Sequence, residues 1–258
     1  MSICMAAAQS PSVAGDVEAN VRIHLAFIAA AREHGVELLV FPELSLSGYE
    51  LPLLRGRALA PEDARLASIR RAAIASGMTV VVGAPIADNG QALPCIAAFA
   101  YGPNGDVGIY RKQFLHDGEE RYARAGRLGA HVSPLRGHRY ALAICADITH
   151  HAHAAAAAEA GASLYLAGVL VSKGGYARDT ALLEQYAADF GIGVLMANHA
   201  APSGGYDAAG GSAVWSAGGA LLARAGGPGD CLVIATENGG WQGKVVPVRV
   251  HGIDPTSG

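Results

Sequence analysis

Apolar residues fall in short clusters along this chain, and their spacing alternates between two periods. Residues 3–8 form a continuous apolar run, ended by Gln9-Ser10-Pro11, which predicts a buried strand. Over residues 19–33 the apolar positions recur at helical spacing (Val21, Leu25, Ile28), with Asp16 as the candidate N-cap and Gly35 as the closing residue. Residues 36–41 predict a second buried strand, 44–57 a loop rich in Ser, Gly, Pro and Leu, and 61–76 a second helix opened by Pro61 and ended by Gly77. The β-branched run 79–82 predicts a strand stopped by Gly83. The segments 97–101 and 107–110 flank Pro103-Asn104-Gly105, a hairpin signal.

Residues 140–144 predict another buried strand, which ends abruptly at Cys145-Ala146-Asp147 before an alanine-rich helix over 152–160. Beyond it the pattern reads as a strand at 163–169, an amphipathic helix at 178–190 and a strand at 193–197. Strands at 212–215, 220–225, 231–236 and 244–250 follow, joined by glycine-rich turns. Strands alternating with helices, with hairpins inserted, predict a layered α/β protein with one or two mixed sheets. No linker, repeat or compositional break divides the chain, so we expect a single domain over residues 1–252 and a flexible tail at 253–258.

Composition narrows the possibilities. Hydrophobic residues make up 51 % and charged residues 16 %, enough for a large core, and the formal net charge of -3 has no long run of either sign. Neither nucleic acid nor an anionic membrane is an expected partner. Four scattered cysteines (Cys4, Cys95, Cys145, Cys231) without CxxC spacing read as reduced thiols of a cytoplasmic protein. No basic residue precedes Arg22, so a signal peptide is not expected. The apolar stretch 164–171 is too short to span a bilayer.

Three polar residues stand at the ends of apolar strands: Glu43, Lys112 and Cys145. Carboxyl ends of strands are where α/β proteins assemble sites. A carboxylate, an ammonium and a thiol form a complete set for acyl transfer: proton carrier, oxyanion partner and nucleophile. Taken singly, each has a plain structural alternative: a loop carboxylate, a surface lysine, an inert buried thiol.

Phe41-Pro42-Glu43-Leu44 with Gly48-Tyr49, then Tyr110-Arg111-Lys112 leading to Leu115, then Ile144-Cys145-Ala146-Asp147, resemble the three signature motifs of the nitrilase superfamily of carbon–nitrogen hydrolases. Gly210-Gly211-Ser212-Ala213-Val214 and Gly218-Gly219 also follow the family's order, and the likeness covers residues 3 to 250. The resemblance implies a four-layer α-β-β-α sandwich, usually dimerised through the helical face that follows the cysteine, so a homodimer or higher homo-oligomer is expected. It implies Glu43 as general base, Lys112 and the backbone N–H of Ala146 as oxyanion donors, and Cys145 as nucleophile. A second glutamate seven residues before a glycine is common in the family. Glu119 lies seven before Gly126, with Glu120 as the competing choice.

The implied activity is cysteine-dependent hydrolysis of a small amide or carbamoyl compound through a thioester, with no cofactor. Nitrile hydrolysis is the runner-up, and a non-catalytic binding module is the alternative of another class. Two departures matter. Ala146 stands where an aromatic or charged residue is frequent, and Pro94-Cys95 replaces an asparagine often found before the hairpin. Asp147 is expected to bond the local turn. Tyr49, Tyr176 and Asn198 are candidate substrate contacts, and Glu184 reads as a solvated helix charge. His150, His151 and His153 lack the i, i+4 spacing of helical zinc sites; plain solvation is expected for them first, a place lining the pocket mouth beside Cys145 second, and a metal last.

Overall fold

The structure, a computed structural model, describes residues 3–87 and 90–250. The expected tail at 253–258 lies outside the described residues. The first sheet contains β1 (Ile3–Gln9), β2 (Leu38–Val40), β3 (Thr79–Ile86), β4 (Cys95–Tyr101) and β5 (Val107–Arg111). The second is built from β6 (Val132–Leu135), β7 (His138–Ile144), β8 (Leu164–Val169), β9 (Gly193–Asn198), β10 (Ala213–Trp215) and β11 (Leu221–Arg224). β12 (Cys231–Glu237) and β13 (Trp241–Pro247) return to the first sheet, giving the orders β13-β12-β1-β2-β3-β4-β5 and β11-β10-β9-β8-β7-β6.

Helices α1 (Val17–Glu33) and α2 (Ala67–Ser76) cover one outer face, and α3 (His151–Glu159) and α4 (Tyr176–Phe190) the other. Side-chain alternation decides these layers. Ile3, Met5 and Ala7 of β1 face Leu142, Ile144, Leu164 and Leu166 between the sheets. Ala6, Ala8, Leu39 and Phe41 face α1, while Tyr165, Ala167 and Val169 face α3 and α4. Central strands buried on both faces read as unbroken apolar runs, which is why they stood out in the sequence. No helix among the described residues is long and apolar enough to cross a membrane.

Local signals were largely obeyed. Asp16 caps α1 by accepting the Ala19 N–H at 2.9 Å, and Gly77 ends α2 in the left-handed region at φ +66°. Two expectations are corrected. The second helix begins at Ala67 rather than Pro61, because Asp63 caps a short 3₁₀ turn, Ala64–Leu66, first. The Pro61 carbonyl is instead taken by Arg70 and Tyr101. β3 is not stopped by Gly83 but continues to Ile86. Its pairing with β2 ends at Val81, so Pro85 interrupts no ladder on that side. β6, with its proline, was not anticipated.

β1, β2 and β3 run parallel. Because β4 is antiparallel to both β3 and β5, β5 points the same way as β3. β7, β8 and β9 are also parallel. Glu43, Lys112 and Cys145 thus each follow a strand's carboxyl end.

Candidate active site

The turn Phe41-Pro42-Glu43-Leu44 enters a gap between the two sheets that only glycine leaves open. A Cβ on Gly83 of β3 would sit 2.4 Å from the Leu44 nitrogen and 2.5 Å from the Pro42 oxygen. One on Gly168 of β8 would sit 2.7 Å from the Phe41 oxygen. The missing side chains let the Glu43 backbone pass between the sheets. His199 holds it there, its Nε2 donating to the Glu43 carbonyl at 2.8 Å. A glycine inside the apolar run 164–169 was the available sequence signal for this close approach.

Glu43, Lys112 and Glu119 are at most 1 % exposed. Lys112 Nζ donates to Glu43 Oε1 and Glu119 Oε1, both at 2.7 Å. Glu119 is otherwise saturated: Oε1 also accepts the Tyr49 hydroxyl at 2.6 Å and Oε2 the His116 N–H at 2.8 Å. Glu120 is exposed and bonds its own turn through the Gly118 N–H, so of the two glutamates only Glu119 joins the cluster. Glu43 differs from Glu119 in keeping one oxygen, Oε2, buried and without a hydrogen-bond partner among the described residues.

Cys145 directly follows β7 with φ +43°, a left-handed conformation rarely adopted by residues other than glycine and costing about 1–3 kcal/mol. It opens the 3₁₀ turn Cys145–Thr149. Asp147 pins this turn: Oδ2 accepts the Ile144 N–H and the Tyr110 hydroxyl, and Oδ1 accepts the N–H groups of Gln113 and Phe114. One carboxylate therefore ties the cysteine turn to the segment just after Lys112, a longer reach than the local bond expected of it. Cys145 Sγ donates to the Leu170 carbonyl at 3.6 Å and is also placed to give its single proton to Glu43.

These positions set the electrostatics. Burial raises the Glu43 pKa, Lys112 lowers it and Glu119 raises it again, leaving it pushed up to about 7. Burial, then the Glu43 charge, holds the Cys145 thiol well above its ordinary value against the pull of Lys112. Burial would lower Lys112, but the charges of Glu43 and Glu119 and the hydrogen bond to Glu119 oppose it and keep the ammonium charged. The resting site therefore holds a neutral thiol beside a carboxylate that titrates near neutrality, a pair suited to proton transfer at the moment of attack.

A cleft of about 390 Å³ opens over the sulfur, lined by Ala146, His150, Leu170, Arg178 and Tyr206 among others. A larger one, about 660 Å³, lies by the starts of β3, β5 and β7 and holds no thiol. Tyr49 is buried behind the cleft on Glu119, and Tyr206 packs edge-on against it with ring centroids 5.6 Å apart. Asn198 is fully buried, its amide spent on Val171, His199 and Gly210, so it fixes the cleft wall from behind. The Tyr176 hydroxyl donates to the Gly211 carbonyl. The histidines diverge: His150 stacks on Phe114 at the cleft, His151 packs on Tyr186 and Phe190, and His153 is buried. Tyr206 and the glycine gap were missed by sequence reasoning.

The carbon–nitrogen hydrolase family profile matches residues 4–237. Among similar solved structures is a variant of the amidase from Nesterenkonia sp. AN1 showing Michael addition of acrylamide at the active-site cysteine. It is 26 % identical, with 92 % of this chain and 94 % of that chain covered and a TM-score of 0.84. A variant of the same amidase in complex with butyramide is 27 % identical over 90 % of this chain and 89 % of that one, with a TM-score of 0.83. A third, described as an amidase from the nitrilase superfamily, is 27 % identical over 90 % of both chains, also with a TM-score of 0.83. With the family profile spanning most of its length and these folds superimposing on both sheets, the chain is an enzyme belonging to the carbon–nitrogen hydrolase family of the nitrilase superfamily.

Proposed function

We propose that this enzyme hydrolyses small aliphatic amides through a thioester on Cys145, releasing ammonia and then the carboxylic acid. Glu43 takes the thiol proton as sulfur attacks the amide carbon. Lys112 and the Ala146 N–H stabilise the oxyanion, a contribution of about 10²–10³ in rate for one such donor. The C–N bond then breaks as Glu43 returns the proton to the departing nitrogen. Water, deprotonated by the same carboxylate, cleaves the thioester and restores the thiol. Glu119, with both oxygens occupied, serves to hold Lys112.

The observation that carries this reading is the Lys112 ammonium, fully buried between two carboxylates beside a cleft-facing thiol. Two carboxylates in unequal surroundings divide the labour: the saturated one is fixed, and the one with a free oxygen and a raised pKa moves the proton. The amides held by the Nesterenkonia enzyme favour an amide over a nitrile or ureido substrate. Ammonia release should be measured across short aliphatic amides, ureido acids and nitriles, with Cys145→Ala as control. Short amides should be turned over fastest and only with the cysteine present. Preference for nitriles or ureido acids would refute the amide assignment.

A further inference from the structure

We propose that His153, which contacts neither the cleft nor the reacting groups, is a positioning residue for Cys145, acting as a neutral imidazole with its proton on Nε2. The inference rests on the reading of Cys145 as the nucleophile. Four groups from four elements are joined in one buried line. Tyr165 Oη of β8 lies 2.8 Å from His153 Nδ1 of α3. His153 Nε2 lies 2.8 Å from Tyr110 Oη of β5, and Tyr110 Oη lies 2.7 Å from Asp147 Oδ2 in the cysteine turn.

Counting donors fixes the direction of every bond in the line. The Asp147 carboxylate already receives three backbone N–H groups and can only accept. Tyr110 must therefore give its one proton to Asp147, since otherwise two lone pairs would face each other at 2.7 Å. The Tyr110 oxygen is then free to accept, so His153 must donate from Nε2. Burial first, with His150 and His131 adding to it against the Asp147 charge, lowers the His153 pKa and leaves Nδ1 bare to accept from Tyr165. Gln113 Nε2, 3.4 Å from His153 Nε2, can only donate: it gives one proton to the Gly129 carbonyl, and its second is placed for the Tyr110 oxygen, which can accept from it as well as from His153.

His153 thereby sets the orientation of the Tyr110 hydroxyl, and through it the carboxylate that holds Ile144 and the strained Cys145 in place. Without this donor the Tyr110 proton can turn away. Asp147 then loses one of its four bonds, and the sulfur shifts relative to Glu43 and Lys112.

Two readouts test this. Nitrogen-15 NMR of the histidine rings should show His153 with a protonated Nε2 and a bare Nδ1 across the pH range of folding; the opposite tautomer overturns the proposal. In kinetics, His153→Leu should lower kcat by about 10²-fold, the scale of an ångström-sized misplacement, with KM little changed. His153→Gln, whose amide both donates and accepts, should recover most of that loss. Unchanged kcat in His153→Leu, or a His153→Gln as slow as His153→Leu, overturns it. Should His153→Leu not fold, Tyr110→Phe breaks the same line with little change of volume and must show the same loss of kcat at near-constant KM; an unchanged kcat there overturns the proposal. A wild type whose turnover survives Cys145→Ala would instead refute the reading of the site beneath it.

Discussion

Glu119→Gln probes how the buried cluster sets the pH range of turnover. Glu43 must be ionised to accept the thiol proton, so kcat/KM should fall tenfold per pH unit below the Glu43 pKa of about 7. Part of that elevation comes from the Glu119 charge. Both carboxylates touch one nitrogen at 2.7 Å, so their contacting oxygens are no more than twice that, about 5.4 Å, apart. At an effective dielectric constant of about 20 this repulsion is worth about 3 kcal/mol, or roughly 2 pKa units. Removing the Glu119 charge lowers the Glu43 pKa, and the acid limb of kcat/KM should move from about pH 7 toward about pH 5. The glutamine amide also presents a donor where Glu119 only accepts, which loses a hydrogen bond worth about 1 kcal/mol and lowers the plateau. The direction of the limb, measured by ammonia release from pH 4 to 9, is the readout. A limb that stays near pH 7 or moves upward would refute the account, whatever happens to the plateau. Because the two carboxylates interact strongly, the limb belongs to the pair.

Three further outcomes follow from the same geometry. Lys112→Met leaves two buried carboxylates without their cation. It should destabilise the fold by about 3–5 kcal/mol in urea denaturation and cut kcat by at least about 10²-fold; a variant as stable as the wild type would contradict the buried ion cluster. Gly83→Ala introduces a Cβ 2.4 Å from the Leu44 nitrogen. Overpacking should cost about 1–3 kcal/mol and depress kcat by displacing Glu43, whereas wild-type kinetics would show that the gap is not needed. Iodoacetamide at pH 7.5 should add a single adduct, on Cys145, since Cys4, Cys95 and Cys231 are buried. Glu43→Gln should slow that reaction by removing the proton acceptor, and mass spectrometry showing adducts spread over all four thiols would count against an activated Cys145.

How much of this was readable in advance depends on the range of each signal. The Asp16 cap, the Gly77 stop, the hairpin around Asn104 and the strand that ends at Cys145 are set by neighbours a few residues away, so the linear order carries them. The candidate trio was visible for the same reason, each member standing at the end of a recognisable strand, while the second carboxylate, Glu119, was implied only by the resemblance to the nitrilase superfamily. What brings these groups within 2.7 Å of one another is not local: Glu43 and Lys112 are 69 residues apart and meet only because β5 runs in the direction of β3.

Tertiary structure alone decided the rest. Gly83 read as a strand terminator because sequence supplies only the conformational freedom of glycine. The structure uses instead the absence of a Cβ against a turn some 40 residues away. Asp147 and His153 read as a turn carboxylate and part of a histidine tract. Their partners lie on a strand of the opposite sheet and on the strand that follows α3, and no periodicity reports such pairings. The raised pKa of Glu43 belongs to the same class, since it is the balance of burial, the opposing charge of Lys112 and the added charge of Glu119, all set by packing with distant segments. Short-range pattern thus determined the elements and the chemical types at their ends, while the packing of two sheets determined the distances and protonation states on which the chemistry depends.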